Sequence, residues 1–224
     1  MIDIESVSKK IKGKSIFEGI TLRVEPGQMI GVTGPNGSGK SLLLDLAAGI
    51  TRPDSGIVRV FGIDPFKRWR EALKIIGYLT QGEPSHRMGR IKAEEYLRYS
   101  GSVHGLRGKK LRDRIEAMEK LFELEGTVDC PIEELSAGER IRLRLACEII
   151  HDPKAVILDE PFVSLDARWR KIVIDLLREL KSMDKALLIA SVHEEELKAI
   201  CDALISLECS YGGNQRPIPF TIRG

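Results

Sequence analysis

The stretch Gly34-Pro35-Asn36-Gly37-Ser38-Gly39-Lys40-Ser41 fits the spacing G-x-x-x-x-G-K-[ST], a loop that wraps nucleotide phosphates. The chemistry follows from the residue types. Gly34, Gly37 and Gly39 lack a Cβ, so the backbone can bend and approach an anion closely. Lys40 supplies a cation for the β- and γ-phosphates, and the Ser41 hydroxyl is a ligand for Mg2+. An ordinary glycine-rich turn is the plain alternative, but the flanks favour the loop. Met29-Ile30-Gly31-Val32-Thr33 ahead of it reads as a buried strand. Ser41-Leu42-Leu43-Leu44-Asp45-Leu46-Ala47-Ala48 behind it reads as a helix. That order points unpaired helix N–H groups and a positive dipole end at the anion, with Ser41 and Leu42 in the first turn.

A second constellation is Val156-Ile157-Leu158-Asp159-Glu160, an apolar strand that ends in two acids. The carboxyl end of a strand in an α/β sheet is where ligands bind. There Asp159 would hold Mg2+ beside Ser41, and Glu160 would accept a proton from an attacking water. Such a pair is common by chance and gains its meaning from the loop upstream. Leu135-Ser136-Ala137-Gly138-Glu139 opens a helix over 139–150. Ser136 and Glu139 form a capping box, a purely structural device. The same helix start, with Ser136 and Gly138, is also a second anion site, and both readings stand. Gln81 follows a strand, and His193 precedes the acid-rich helix start Glu194-Glu195-Glu196. Taken alone, each is an ordinary surface residue.

These residues need elements to position them. The chain has 224 residues, enough for one large domain or two small ones with a full core. Strands are expected at 2–7, 20–24, 28–33, 57–61, 75–79, 155–158, 186–190 and 203–207. From about 83 to 150 the pattern turns helical and charged. Within it Leu111, Ile115, Met118, Leu121 and Phe122 share one face of a helix over 109–124. A helix over 167–180 carries Trp169, Ile172, Val173, Leu176, Leu177 and Leu180 on its buried stripe. The expected fold is α/β, a mostly parallel sheet with helices on both faces, an antiparallel N-terminal β part and a helical insertion. The glycine- and proline-rich tail 211–224 is expected to be loosely held.

Composition excludes several classes. A net charge of +2 is too small for wrapping nucleic acid. The basic stretches 67–70 and 109–114 read as solvated helix faces. Cys130, Cys147, Cys201 and Cys209 show no metal-like spacing and read as free thiols in a reducing compartment. No secretory signal is expected from the residues after Met1, and no apolar run of membrane-spanning length is present.

Taken in order, the loop 34–41, Gln81, Leu135–Glu139, the acidic strand 156–160, Ser164-Leu165-Asp166 and His193 resemble an ATP-binding cassette (ABC) ATPase over nearly the whole chain. The resemblance implies a P-loop NTPase fold, one cassette domain over 1–224 with its helical part at about 83–150, and ATP and Mg2+ as ligands. It implies that Gly34, Pro35, Asn36, Gly37, Ser38, Gly39, Lys40, Ser41 and Leu42 hold the nucleotide, and that Ser41, Gln81 and Asp159 serve the metal. Gln81 and His193 would contact the γ-phosphate, and Glu160 would activate water. Ser136 and Gly138 would bind the nucleotide held by the opposite subunit, and Asp166 would link the two sites. The implied partners are a second copy or a homologous ATPase subunit and a separate transmembrane permease. The chain would then sit at the cytoplasmic face of the cell membrane through that partner, with no nucleic acid.

Three departures stand out. The family's usual LSGGQ is LSAGE here, and a Glu139 carboxylate repels an incoming anion, so Glu139 is expected to turn toward its own helix. Ile11 stands where an aromatic usually stacks on adenine, which predicts weak base selectivity. Pro161-Phe162-Val163 replaces the usual turn after the acids, without a functional account. The stretches 61–65 and 75–79 look closest to exporter cassettes, while 83–88 departs from the family. Two other readings compete: a soluble ABC ATPase of repair, translation or cofactor assembly, and a module that holds nucleotide without turnover. The first lacks its usual coiled coils, second cassette or basic arm here. The acid pair argues against the second.

Overall fold

The computed structural model describes residues 1–81, 89–207 and the backbone of 220–223. Its elements run β1 (Ile2–Ile11), β2 (Lys14–Val24), β3 (Met29–Thr33), α1 (Lys40–Ala48), β4 (Ser55–Val60), α2 (Trp69–Ala72) and β5 (Ile76–Leu79). Then come α3 (Ala93–Val103), α4 (Gly108–Leu121), α5 (Ala137–Ile149), β6 (Ala155–Asp159), α6 (Ala167–Ser182), β7 (Ala186–Ala190), α7 (Glu194–Lys198), β8 (Ala203–Leu207) and β9 (Phe220–Arg223).

A six-stranded sheet has the order β5-β6-β7-β3-β8-β9, parallel except for β9. Because successive side chains of a strand face opposite ways, each strand feeds two cores. Met29, Val156, Leu158, Leu187 and Ile189 face a cluster with α3, α4, α5 and α6. Ile30, Val32, Ile157, Leu188 and Ala190 face a second cluster with α1 and the other sheet. Every residue of β3, β6 and β7 is buried, as strands covered on both faces must be. The expected mostly parallel sheet with helices on both faces is the one observed.

The expected antiparallel N-terminal part is a three-stranded sheet of its own, β2-β1-β4. Its strands run longer than the apolar pattern suggests. Register shifts in β1 between Ile4 and Val7 and between Val7 and Lys9 interrupt the alternation that a sequence reading follows. Ser6 at φ 49 and Gly19 at φ 67 lie in this irregular stretch. β9 is a further correction: four residues of the tail pair antiparallel with β8, Leu204 opposite Arg223 and Leu207 opposite Phe220. Tail residues 208–219 and the departing segment 83–88 lie outside the described residues, as does Cys209.

The helical stripes are largely as expected. Trp169, Val173, Leu177 and Leu180 of α6 are buried, with Ile172 and Leu176 packed beside them. On α4, Leu111, Ile115 and Met118 are buried and Phe122 follows them inward, but Leu121 is 39% exposed. Leu121 and Phe122 are adjacent, so one helical stripe cannot bury both equally. Cys130, Cys147 and Cys201 are free thiols. Among the described residues no helix is long and apolar enough to cross a membrane.

Candidate functional site

Parallel strands deliver their carboxyl ends to one edge of the sheet, and the candidate residues follow from that. The loop 34–41 leaves β3, Gln81 follows β5, Asp159 and Glu160 end β6, and Ser191 to His193 follow β7. β7 lies between β3 and β6, so the loop and the acids are two strand spacings apart, roughly 10 Å. Helix α1 closes this gap by packing across β6. Its first turn brings Ser41 and Lys40 close enough to Asp159 to act on that carboxyl.

The glycines divide by task. A Cβ on Gly34 would stand 2.2 Å from the Leu207 carbonyl, so glycine there is demanded by the contact with β8. Gly39 has φ 95, and its Cβ would press on the Phe17 ring at 3.0 Å. Gly37, at φ 81, has nothing within 4 Å of that position, and its left-handed backbone is what favours glycine there. Pro35, Asn36 and Gly37 are exposed, while Ser38 and Lys40 are buried. Leu42 is part-buried at the helix start. The Lys40 ammonium donates to the Gly34 carbonyl at 2.7 Å and the Pro35 carbonyl at 3.2 Å.

Asp159 is 3% exposed, and neither of its carboxylate oxygens makes a hydrogen bond of ordinary geometry. Burial pushes its pKa up, against the pull of the Ser41 hydroxyl, the Lys40 charge and the Gln81 N–H nearby. The Ser38 hydroxyl is likewise buried without a partner. Each such group costs about 1–3 kcal/mol if left unmet. The orphan atoms, Lys40 and the open space at Gly37 fit a phosphate chain with a divalent cation. Among the described residues no cluster of three or more His, Cys, Asp or Glu could hold a metal ion by itself. A cation held by Ser41, Asp159 and the Gln81 side would therefore share phosphate oxygens and water, as Mg2+ commonly does.

Glu160 is held differently. It sits at φ 51, in the left-handed region, where a side chain costs roughly 1–2 kcal/mol. Its carboxylate accepts from the Val192 N–H at 2.8 Å and the Ser191 hydroxyl at 3.1 Å. The same Ser191 oxygen accepts from the His193 N–H at 3.1 Å. Base candidate and histidine are thus joined through Ser191, which sequence reasoning missed. Its signal lies in sheet order, since β6 and β7 are neighbours with Asp159 opposite Ala190. Gln81, Arg140, Arg144, Asp159 and Glu160 line a cleft of about 220 Å³, with Ala137 of α5 on its wall.

The other predicted residues flank this cleft through Ala137 and Ser164, which line it, and their own side chains serve helix starts. Ser136 caps α5: its hydroxyl donates to the Glu139 carboxylate at 2.6 Å and its N–H does so at 2.8 Å. The Glu139 N–H returns a bond to the Ser136 oxygen at 3.2 Å. Glu139 therefore turns toward its own helix, and the two Ser136 hydrogen bonds hold its pKa down. Gly138 packs toward the Ser164 carbonyl, whereas the loop 34–41 packs on Phe17 and Leu207. Asp166 caps α6 by accepting from the Trp169 N–H at 2.8 Å. Ile11 is 44% exposed at the end of β1.

The family described as ABC transporter matches residues 17–163. The chain is similar to the Nod factor export ATP-binding protein I of Sinorhizobium fredii, 34% identical over 92% of this chain and 60% of that protein. It is also similar to the ABC transporter ATP-binding protein NatA of Bacillus subtilis, 31% identical over 92% of this chain and 85% of NatA. The fold resembles the structure of an ATP-binding subunit of an ABC transporter, with TM-score 0.86 and 21% identity over 96% of this chain and 90% of the other. It also resembles the dimeric bacterial cassette MJ0796, with TM-score 0.82 and 20% identity over 97% of this chain and all (100%) of that one.

Proposed function

This chain belongs to the ABC transporter family of ATP-binding proteins, and from that premise we propose that it hydrolyses ATP at a site completed by a second subunit. The observation that carries the reading is the acid pair. A buried, unpaired Asp159 lies beside Ser41, and Glu160 is fixed next to it by Ser191 and Val192. In this reading the loop 34–41 and Lys40 grip the triphosphate, and Ser41, Asp159 and Gln81 would hold Mg2+, which would supply charge neutralisation. Glu160 takes the proton of a water aligned with the γ-phosphate, and His193 contacts that phosphate. Positioning and charge supply most of the rate, because the transferred phosphoryl group asks little covalent chemistry of the protein.

The second subunit enters through α5. Ser136 and Gly138 would close over the nucleotide bound to the opposite copy, with Asp166 between the two sites. The MJ0796 cassette, solved as a dimer and also in a post-hydrolysis state bound to ADP and Pi, supports a second subunit. ATP would then join two subunits and hydrolysis would release them, a clamp driven by differential affinity. The names of the relatives support a role in transport, and the 60% span of the Nod factor export protein leaves room there for parts this chain does not match. The partner would be a separate membrane permease, which would hold this subunit at the cytoplasmic face, and export is the favoured direction.

Glu160→Gln tests the assignment. It keeps the shape of the side chain but removes the base, and its amide retains only one of the two acceptor oxygens that meet the Val192 N–H and the Ser191 hydroxyl. Turnover should fall at least about 100-fold while ATP still binds and an ATP-held dimer accumulates. Steady-state phosphate release and sedimentation with and without ATP read the two outcomes. Near-normal turnover would remove Glu160 from the mechanism.

A further inference from the structure

We propose that Arg144 and Glu148 are positioning residues that fasten the helix bearing Ser136 to β5 and to Thr80, the residue before Gln81, so that the two halves of the shared site move together. This rests on the shared-site reading above. Among the described residues β5 is the edge strand of the parallel sheet and pairs with β6 alone. Its outer side therefore presents backbone groups with no strand to receive them. Two side chains of α5 meet them: a Glu148 carboxylate oxygen accepts from the Tyr78 N–H at 2.9 Å, and the Arg144 guanidinium donates to the Thr80 carbonyl at 2.5 Å. Residues four apart share one face of a helix, so both bonds form from a single placement of α5. The backbones are close as well. A Cβ on Gly77 would stand 2.1 Å from the Glu148 carbonyl, which makes glycine a condition of this contact.

The link continues beyond the strand. The Tyr78 hydroxyl donates to Asp45 of α1 at 2.8 Å, one turn beyond Ser41. Tyr78 thus joins the helix that follows the phosphate loop to the helix that would cover a neighbour's nucleotide. Thr80 is followed directly by Gln81, and Arg144 and Gln81 both line the cleft with Asp159 and Glu160. A shift of Gln81 toward a γ-phosphate therefore pulls on α5, and a shift of α5 pulls on Gln81. The Arg144 charge also acts favourably on the Glu148 carboxylate, so the two side chains support each other.

The test uses the Glu160→Gln chain, in which the ATP-held dimer accumulates, with Glu148→Ala, Glu148→Gln or Arg144→Lys added. ATP affinity is measured on the dilute single subunit by calorimetry, and dimerisation by sedimentation at saturating ATP. Glu148→Ala and Arg144→Lys should weaken the dimer about tenfold and leave single-subunit ATP affinity within about twofold. Glu148→Gln should restore the dimer, because its amide oxygen still accepts from the Tyr78 N–H. A merely structural role would lower ATP affinity and dimerisation together, and that result overturns the proposal, as does an unchanged dimer in both variants. If Glu148→Ala fails to fold, Arg144→Lys decides alone, since it keeps the charge and removes the planar guanidinium fork that reaches the Thr80 carbonyl. Absence of any ATP-held dimer in the Glu160→Gln parent removes the shared-site reading, and this coupling with it.

Discussion

The Lys40 ammonium is buried and bonded to the Gly34 and Pro35 carbonyls. Carbonyl dipoles compensate a desolvated cation less completely than an anion does, so the side chain is poised for phosphate. Lys40→Ala should lower ATP affinity about 100-fold, the loss of bonds to a charged partner, with the fold retained. Calorimetric titration with MgATP measures it, and an unchanged affinity would place the phosphates elsewhere. Ser191 makes a subtler case. It donates to Glu160 and accepts from the His193 N–H, so it orients the base without meeting the substrate. Ser191→Ala should reduce kcat roughly tenfold and move KM little, since its bond to Glu160, of about 1–1.5 kcal/mol, is lost together with the acceptor for the His193 N–H while the loop is untouched. A change confined to KM would contradict that role.

Among the elements, α5 and α6 carry their functional residues at N-caps, and both caps serve the helix first. Ser136 and Glu139 close a capping box at α5, and Asp166 closes α6 through the Trp169 N–H. Trp169 itself lies under the Arg142 guanidinium at 4.3 Å, and Arg168 pairs with Glu123 just beyond α4. The start of α6 is thereby tied to the helical part of the molecule. Asp166→Ala should destabilise the isolated chain by about 1 kcal/mol, the ordinary loss of a cap, and lower Tm by a few degrees. Thermal denaturation reads this, and an unchanged Tm would show the cap to be dispensable.

At the scale of the whole molecule, the seam between α5 and β5 holds a desolvated acid. Burial pushes Glu148 up to about 7, against the Tyr78 N–H and the Arg144 charge, which pull it down. A folded-state pKa above the unfolded value of 4.5 means that the folded chain binds the proton more tightly. The resulting stabilisation is full below pH 4.5 and is lost as pH rises through about 7. Its size is at most about 3 kcal/mol, at 1.36 kcal/mol per unit. Glu148→Gln cannot ionise, so its Tm relative to the parent should rise steadily from pH 5 to pH 8 under matched salt, on the order of several degrees. A difference independent of pH would show that Glu148 does not titrate in this window. The opposite burial effect keeps His151 neutral, lowered to about 3, where it stacks on His104 at 3.6 Å between the helical part and β5.

The amino-acid order determined which residues could grip phosphate and the α/β class around them, because spacing, turn chemistry and apolar periodicity are local properties. Gly34–Ser41, the strand ending in Asp159 and Glu160, and the stripe of α6 are all legible at short range. Tertiary structure decided what depends on strand order. It made β7 the neighbour of β6, which brings Ser191 and Val192 onto Glu160. It made β5 an edge, which gives Arg144 and Glu148 their backbone partners. It also turned part of the tail into β9 and carried β1 through its bulges, where pairing with a distant strand outweighs a weak local pattern.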